Sequence, residues 1–373
     1  MEFNFSVILD TERYTFFYKK AKDNYLIRDI CDDKYSNLTE EEIKALKSSK
    51  YINVVQKSNT WLTLRKQSGG TASSVGKYLY LKEIRFPTEK DVMKSWISSI
   101  NDDPFIKTAC TAGHMAWGVK YEETALMHFA LEENLGVVQV GSIKVLLKHI
   151  MKIGESCFGA EWIPLCNDSN EEYLLVSPDG IVGKPEVGTD SEDYSEYVGM
   201  LEIKCISPFH HIETEDGNIT WILSKFSSDF EGILNKRQWF DAKSIPFVYI
   251  IQQALQAISG IIKYKMNSKS FMWFIRWSPI GLSIFKFKFI NLIRIGALAA
   301  NLYFSLKNRF TTIEVMTENF AYIDKEQKIR DMLYIEYEAL MKDYEYKYID
   351  IPDYPEFKEY YEKTKDDVFI PPI

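Results

Sequence analysis

Apolar residues recur along the chain with two different periods, and the switches between them mark out its elements. Residues 113 to 136, GHMAWGVKYEETALMHFALEENLG, carry Met115, Val119, Leu126 and Phe129 at offsets of −7, −3, +4 and +7 from Glu122. That spacing predicts a helix ending at Gly136, with Glu122 on its apolar stripe. YLLVS, residues 173 to 177, reads as a short apolar strand, and the PDG after it has turn chemistry, since Pro fixes φ and Gly accepts positive φ. On MLEIKC, alternation sends Leu201, Ile203 and Cys205 to one face and Glu202 and Lys204 to the other. FKFKF, residues 285 to 289, alternates in the same way and predicts an amphipathic edge strand with Lys286 and Lys288 on one face. From Asn59 to about Phe310 helical and strand patterns alternate, as in an α/β domain.

Two flanks enclose this body, so the division expected is an N-terminal extension at 1–58, a core at 59–310 and a C-terminal appendage at 311–373. The first flank has a strand-like FNFSVIL and a charged helical stretch from Thr39, which a carboxylate three residues on would help to cap. The last has IRDMLYIEYEALMKDYEYKY, read as helix before the breaks at Pro352 and Pro355. Inside the core, the polar run 184 to 197 has the composition of a long hairpin loop.

Composition narrows the class. With 46% hydrophobic, 26% charged and 14% aromatic residues, the 373-residue chain has enough apolar material for a large core, and no apolar run reads as a membrane span. No secretory signal is visible at its start, which leads to the expectation of a soluble, intracellular protein. Five scattered cysteines without a C-x-x-C pair predict free thiols and no structural zinc. The net charge of −8 is a property of the tail, because residues 311–373 hold 16 Asp/Glu against 8 Lys/Arg. Residues 61–85 run the other way, with Arg65, Lys66, Lys77, Lys82 and Arg85 facing only Glu83, a cluster able to meet phosphates or simply to be solvated.

The acids carry the chemistry. If the segment bearing Asp179 pairs with MLEIKC as a hairpin, Asp179 approaches Glu202 and Lys204. Carboxylates held together repel, which a fold tolerates mainly when a divalent cation sits between them. The spacing alone also permits an ordinary exposed Glu/Lys pair and a turn aspartate. Glu122, aimed inward, needs either that cation or a buried salt bridge, while Glu123 is ordinary surface. Adjacent His210 and His211 cannot point the same way in regular structure and read as loop residues.

Taken together, PDG followed by EIK resembles the PD-(D/E)XK nuclease core, and MAWGVKYE before it resembles the lambda exonuclease and YqaJ-type viral recombinase branch. WLTLRKQSGGTASSVG, residues 61 to 76, is similar to that family's W-x-x-x-R followed by T-A-S, and YIIQQALQ, residues 249 to 256, to its Y-x-x-Q helix. The resemblance implies a restriction-endonuclease-like α/β fold, a mixed central sheet flanked by helices, with additions at both ends. It implies that Asp179, Glu202 and the Ile203 carbonyl bind Mg²⁺, with Mn²⁺ able to substitute, and that Glu122 contacts the metal directly or through water. Lys204 would position the attacking water and Gln252 the lysine or the scissile phosphate. Arg65 and Ser73 would receive a 5′-phosphate over Trp61. Thr71 or Ser74 competes for the place of Ser73, and Gln253 for that of Gln252. The activity implied is 5′-to-3′ exonuclease action on double-stranded DNA ends, leaving 3′ overhangs for recombination. A structure-specific endonuclease or an inactive end-binding factor are the alternatives. A viral source would put the protein in the host cytoplasm or nucleus. The expected partners are DNA ends, a single-strand annealing or single-strand-binding protein and a further copy of the chain, with no membrane.

Overall fold

The structure, a computed structural model, describes residues 27–29, 38–39, 41–42, 58–102, 109–166, 172–184, 197–206, 209–213, 219–223, 245–278, 281–318 and 320–350. Numbered in chain order among these, the strands are β1 (Ile27–Asp29), β2 (Gly70–Thr71), β3 (Gly136–Gln139), β4 (Ile143–Leu146), β5 (Tyr173–Val176), β6 (Gly180–Gly183), β7 (Tyr197–Cys205), β8 (Phe209–Glu213), β9 (Ile219–Leu223), β10 (Phe271–Ser278), β11 (Gly281–Lys288) and β12 (Tyr344–Asp350). The helices are α1 (Asn59–Gln67), α2 (Ala72–Val75), α3 (Glu89–Ile100), α4 (Ala109–Glu133), α5 (Leu147–Phe158), α6 (Phe247–Tyr264), α7 (Phe289–Arg309), α8 (Ile313–Glu318) and α9 (Asp324–Leu340).

A seven-stranded mixed sheet runs in the order β1-β3-β6-β7-β10-β11-β12. β3, β6 and β7 are antiparallel neighbours, β7 and β10 run parallel, and β10, β11 and β12 form an antiparallel meander. Period-two alternation on β10 sorts the two faces. Trp273 and Trp277 meet Phe129 and His128 of α4, while Phe274 meets Tyr249 of α6. Register then fixes the faces of β7, because Leu201, Ile203 and Cys205 stand opposite Trp273, Ile275 and Trp277, and Glu202 stands opposite Phe274. Glu202 therefore points at α6.

α6 is buried on nearly every side, as expected of a helix enclosed between a sheet and another helix. That second helix is α7, and the two approach so closely that a Cβ on Gly296 would lie 2.8 Å from the Ala254 carbonyl oxygen. α7 is long and apolar enough to cross a membrane by length and composition, but most of it is buried inside the fold, so its apolar run builds the core. Each fully buried Phe or Leu there contributes about 1.5–3 kcal/mol. A three-stranded sheet, β2-β5-β4, lies beside this core, and β8 pairs with β9.

Several expectations are corrected by these elements. α4 stops at Glu133, because Asn134 takes the left-handed conformation at φ 51° and Leu135 N–H closes on Ala130; Gly136 instead opens β3. Its stripe holds only in the C-terminal half, where Leu126 and Phe129 are buried, whereas Met115 and Val119 are exposed. Residues 329–348 are not one helix: Tyr344, Tyr346 and Tyr348 alternate with charged residues at a strand's period, and β12 forms there. Because β12 pairs with β11, FKFKF lies in an interior strand, and Lys286 and Lys288 meet Glu345 at 3.1 Å and Asp343 at 2.9 Å. His210 and His211 lie on strand β8 rather than in a loop. The segment before the core supplies edge strand β1, and Thr39 does pair with Glu42, side chain and backbone, at 2.8 Å. FNFSVIL and most of the 184–197 run lie outside the described residues, although β6 and β7 on either side of that run pair antiparallel.

Candidate active site

Asp179 is the last residue before β6, not the end of the strand YLLV, which belongs to the smaller sheet. Its N–H donates to the Leu201 carbonyl at 3.2 Å and its Oδ2 accepts from Ile203 N–H at 2.7 Å. The aspartate thus prolongs β6 by one residue and lays its carboxylate along the β7 backbone, beside Glu202. Glu202 is 1% exposed, and both of its oxygens are held. Oε1 accepts from Gln252 Nε2 at 2.7 Å and from Lys204 Nζ, and Oε2 accepts from Gln256 Nε2 at 2.5 Å. The Lys204 ammonium also stands 5.2 Å from the centre of the Tyr249 ring. Tyr249, Gln252 and Gln256 share a face of α6 because they are spaced three and four residues apart. Gln253, one step round, is buried elsewhere, and neither polar atom of its side chain has a hydrogen bond among the described residues.

Burial and neighbouring charge together set the electrostatics. Desolvation first, then the Glu202 and Glu122 carboxylates, hold the Asp179 carboxyl well above the usual carboxylate range. Burial acts to lower the Lys204 pKa, but Glu202 and Asp179 outweigh it and keep the ammonium above its ordinary value. Cys205, a free thiol on the opposite face of β7, is pushed up by burial and then by Glu122 and Asp179. Glu122 therefore acts on this site from α4 through its charge. It is half-buried and does not close a ligand cage, since no group of three His, Cys, Asp or Glu side chains able to hold a metal occurs among the described residues. Two adjoining carboxylates with an unrelieved excess of negative charge nonetheless fit Mg²⁺, which takes one or two protein carboxylates and otherwise keeps its waters.

A second cluster lies on the smaller sheet. Trp61 and Arg65 are one turn apart on α1, and the guanidinium stands 4.9 Å from the Trp61 ring centre. Arg65 Nη2 is 3.4 Å from Ser73 Oγ, which is itself 3.2 Å from Thr71 Oγ1. Ser74 turns back instead, to the Thr71 backbone, its Oγ accepting from Thr71 N–H at 2.9 Å. The turn before Thr71 has no room for side chains: a Cβ on Gly69 would lie 2.9 Å from the Tyr173 carbonyl, and one on Gly70 2.8 Å from Tyr303 Oη. Tyr303 Oη and Lys307 Nζ, both from α7, donate to the Gly69 carbonyl at 2.8 and 2.9 Å. Arg65, Lys66, Lys77, Lys82 and Arg85 are all exposed. β2 pairs with β5, which runs directly into Ser177, Pro178 and Asp179, so one strand joins the two clusters.

Sequence reasoning singled out Asp179, Glu202, Lys204 and Gln252, and the structure brings these four together; it groups Arg65, Ser73, Thr71 and Trp61 separately. Gln256, Ser142 and Ser177 were missed. Gln256 had a signal, its seven-residue offset from Tyr249, whereas the serines had none before the fold brought them to the Trp61 indole nitrogen at 2.6 and 3.3 Å. Compared with known proteins, no curated protein and no solved structure matches this chain. A family profile described as the YqaJ-like viral recombinase domain matches residues 60–260, which spans more than half of the chain and both clusters apart from Tyr303 and Lys307. The chain belongs to the YqaJ-like viral recombinase family, the family of lambda exonuclease.

Proposed function

We propose that the protein is a Mg²⁺-dependent exonuclease that degrades one strand of double-stranded DNA from its 5′ end and leaves a 3′ overhang for recombination. Its family is generally of nuclease type and divalent-metal dependent. The observation that carries the proposal is the meeting of Asp179 and Glu202 beside the Lys204 ammonium, with Glu202 held by two amides of α6. Asp179, Glu202 and the Ile203 carbonyl would hold the cation, with Glu122 reaching it through water. Bound there, the cation supplies a Lewis acid for the phosphoryl oxygen and a water of lowered pKa.

The protein's own groups do the rest. Lys204, kept protonated by the two acids, holds the attacking water by donating to it from beside Glu202. Gln252 fixes the Glu202 oxygen that Lys204 shares, so that water has one place to stand. Attack on phosphorus breaks its bond to the 3′ oxygen, which leaves as a hydroxyl, and the next nucleotide gains a 5′-phosphate. Arg65 and Ser73, with Thr71 behind and Trp61 beneath, would take that phosphate by charge-assisted hydrogen bonds and give the reaction its polarity.

The test is digestion of linear duplexes bearing 5′-phosphate or 5′-hydroxyl, and of closed circles, with Mg²⁺ and with chelator. The expected result is loss of linear DNA from 5′ ends, faster for phosphorylated ends, stopped by chelator, with circles intact. Cutting of circles would make the protein an endonuclease. End binding without digestion would make it a recombination scaffold.

A further inference from the structure

Gln256 is fully buried on the face of α6 that meets β7, and its amide nitrogen has two polar neighbours. Nε2 lies 2.5 Å from Glu202 Oε2 and 3.3 Å from the Ser177 carbonyl oxygen. A primary amide nitrogen carries two hydrogens and accepts nothing, so this geometry uses both. Ser177 stands two residues before Asp179. One NH₂ group therefore bridges the segment that carries Asp179 to the side chain of Glu202.

The Ser177 end of the bridge is itself fixed. Its hydroxyl lies 2.5 Å from Ser142 Oγ, and both hydroxyls accept from the Trp61 indole N–H. On the other side, Gln252 and Lys204 hold only Oε1 of Glu202, so the placing of Oε2 falls to Gln256. Gln256 Oε1 gains nothing from this arrangement, being buried with no hydrogen bond among the described residues. A buried acceptor left unpaired lowers stability, so what this amide contributes lies with its nitrogen. The residue is thus poorly suited to holding the core and well suited to orienting a carboxylate.

We infer that Gln256 is a positioning residue that sets Glu202 against Asp179, so that the two carboxylates form a prearranged donor pair for a divalent cation. The inference rests on the reading above, that these acids hold the cation. It adds a second amide to that of Gln252, and the two together grip both oxygens of Glu202.

The experiment titrates Mn²⁺ into the full-length protein without DNA, following the free ion by electron paramagnetic resonance. Wild type, Gln256→Met, Gln256→Leu and Gln253→Met are compared, each with its thermal midpoint. Outer-shell partners of metal ligands typically change affinity by about 10–100-fold, and both Gln256 variants are expected to weaken Mn²⁺ binding within that range. Each removes the donor to the buried Glu202 Oε2, so their thermal midpoints should fall by a few degrees with the fold retained. Gln253→Met, on the same helix and equally buried, should bind like wild type. Wild-type affinity in both Gln256 variants overturns the assignment. So does their failure to fold, which would make Gln256 a stability residue. A wild type that takes up no Mn²⁺ strikes instead at the metal reading itself, so the two failures are distinguishable.

Discussion

The Arg65 guanidinium, held over Trp61 and within 3.4 Å of Ser73, is the group to which the proposed function assigns the terminal phosphate. A hydrogen bond to a charged partner contributes about 1.5–3 kcal/mol, so Arg65→Ala should reduce the preference for phosphorylated over hydroxyl 5′ ends by about 10–100-fold. Initial rates on the two duplexes measure it, and an unchanged ratio would move the pocket elsewhere. At this scale the sequence was most legible where geometry leaves no choice. Alternation alone puts Glu202 and Lys204 on one face, and the turn chemistry of PDG marks the break after Val176, although not that Asp179 leads into β6. It was least legible on α6, because a helix buried all round presents no polar face by which to choose among its glutamines. Only the fold separates Gln252 and Gln256, which reach Glu202, from Gln253, which does not.

Among the elements, β7 carries Glu202 and Lys204 of the candidate site, and its position depends on close approach to β10. A Cβ on Gly199 would lie 1.9 Å from the Phe271 carbonyl oxygen and 2.6 Å from the Trp273 ring, both on β10. Gly199→Ala must therefore push the two strands apart three residues before Glu202. Overpacking of this kind costs about 1–3 kcal/mol, and urea denaturation should show that loss together with reduced nuclease rate. A midpoint equal to that of wild type would mean that β7 is not so confined. Elements with a clean period were readable, as β7 and the C-terminal half of α4 were, but strand partners were not. FKFKF looks like an edge because its lysines alternate outward; only β12, whose pairing depends on residues some sixty positions on, makes it interior. The tyrosines of β12 were in turn absorbed into the pattern of the helix before them.

The whole molecule is a nuclease core whose sheet is completed from outside the matched span. β1 comes from before residue 60 and β10, β11 and β12 from after residue 260, so the family profile covers the chemistry and the rest of the chain supplies its frame. The acidity of the last segment is partly used in that frame. Arg309 pairs with the fully buried Glu326 at 2.5 Å, Arg294 grips Glu336 through two hydrogen bonds, and Lys286 and Lys288 meet Glu345 and Asp343. α7 joins the frame to the chemistry, since it packs on α6 and holds the Gly69 carbonyl with Tyr303 and Lys307. A charge count along the sequence locates this excess of acid but not its partners, which come from residues 17 to 59 positions away. The central claim is that hydrolysis takes place where Lys204 meets Glu202 and Asp179. The most direct measurement compares single-turnover digestion of a 5′-phosphorylated duplex by wild type and Lys204→Ala, with both proteins saturated with DNA in Mg²⁺. Binding within a few-fold of wild type and a cleavage rate lowered by at least about 100-fold is the predicted result. Cleavage by Lys204→Ala at the wild-type rate would contradict the account.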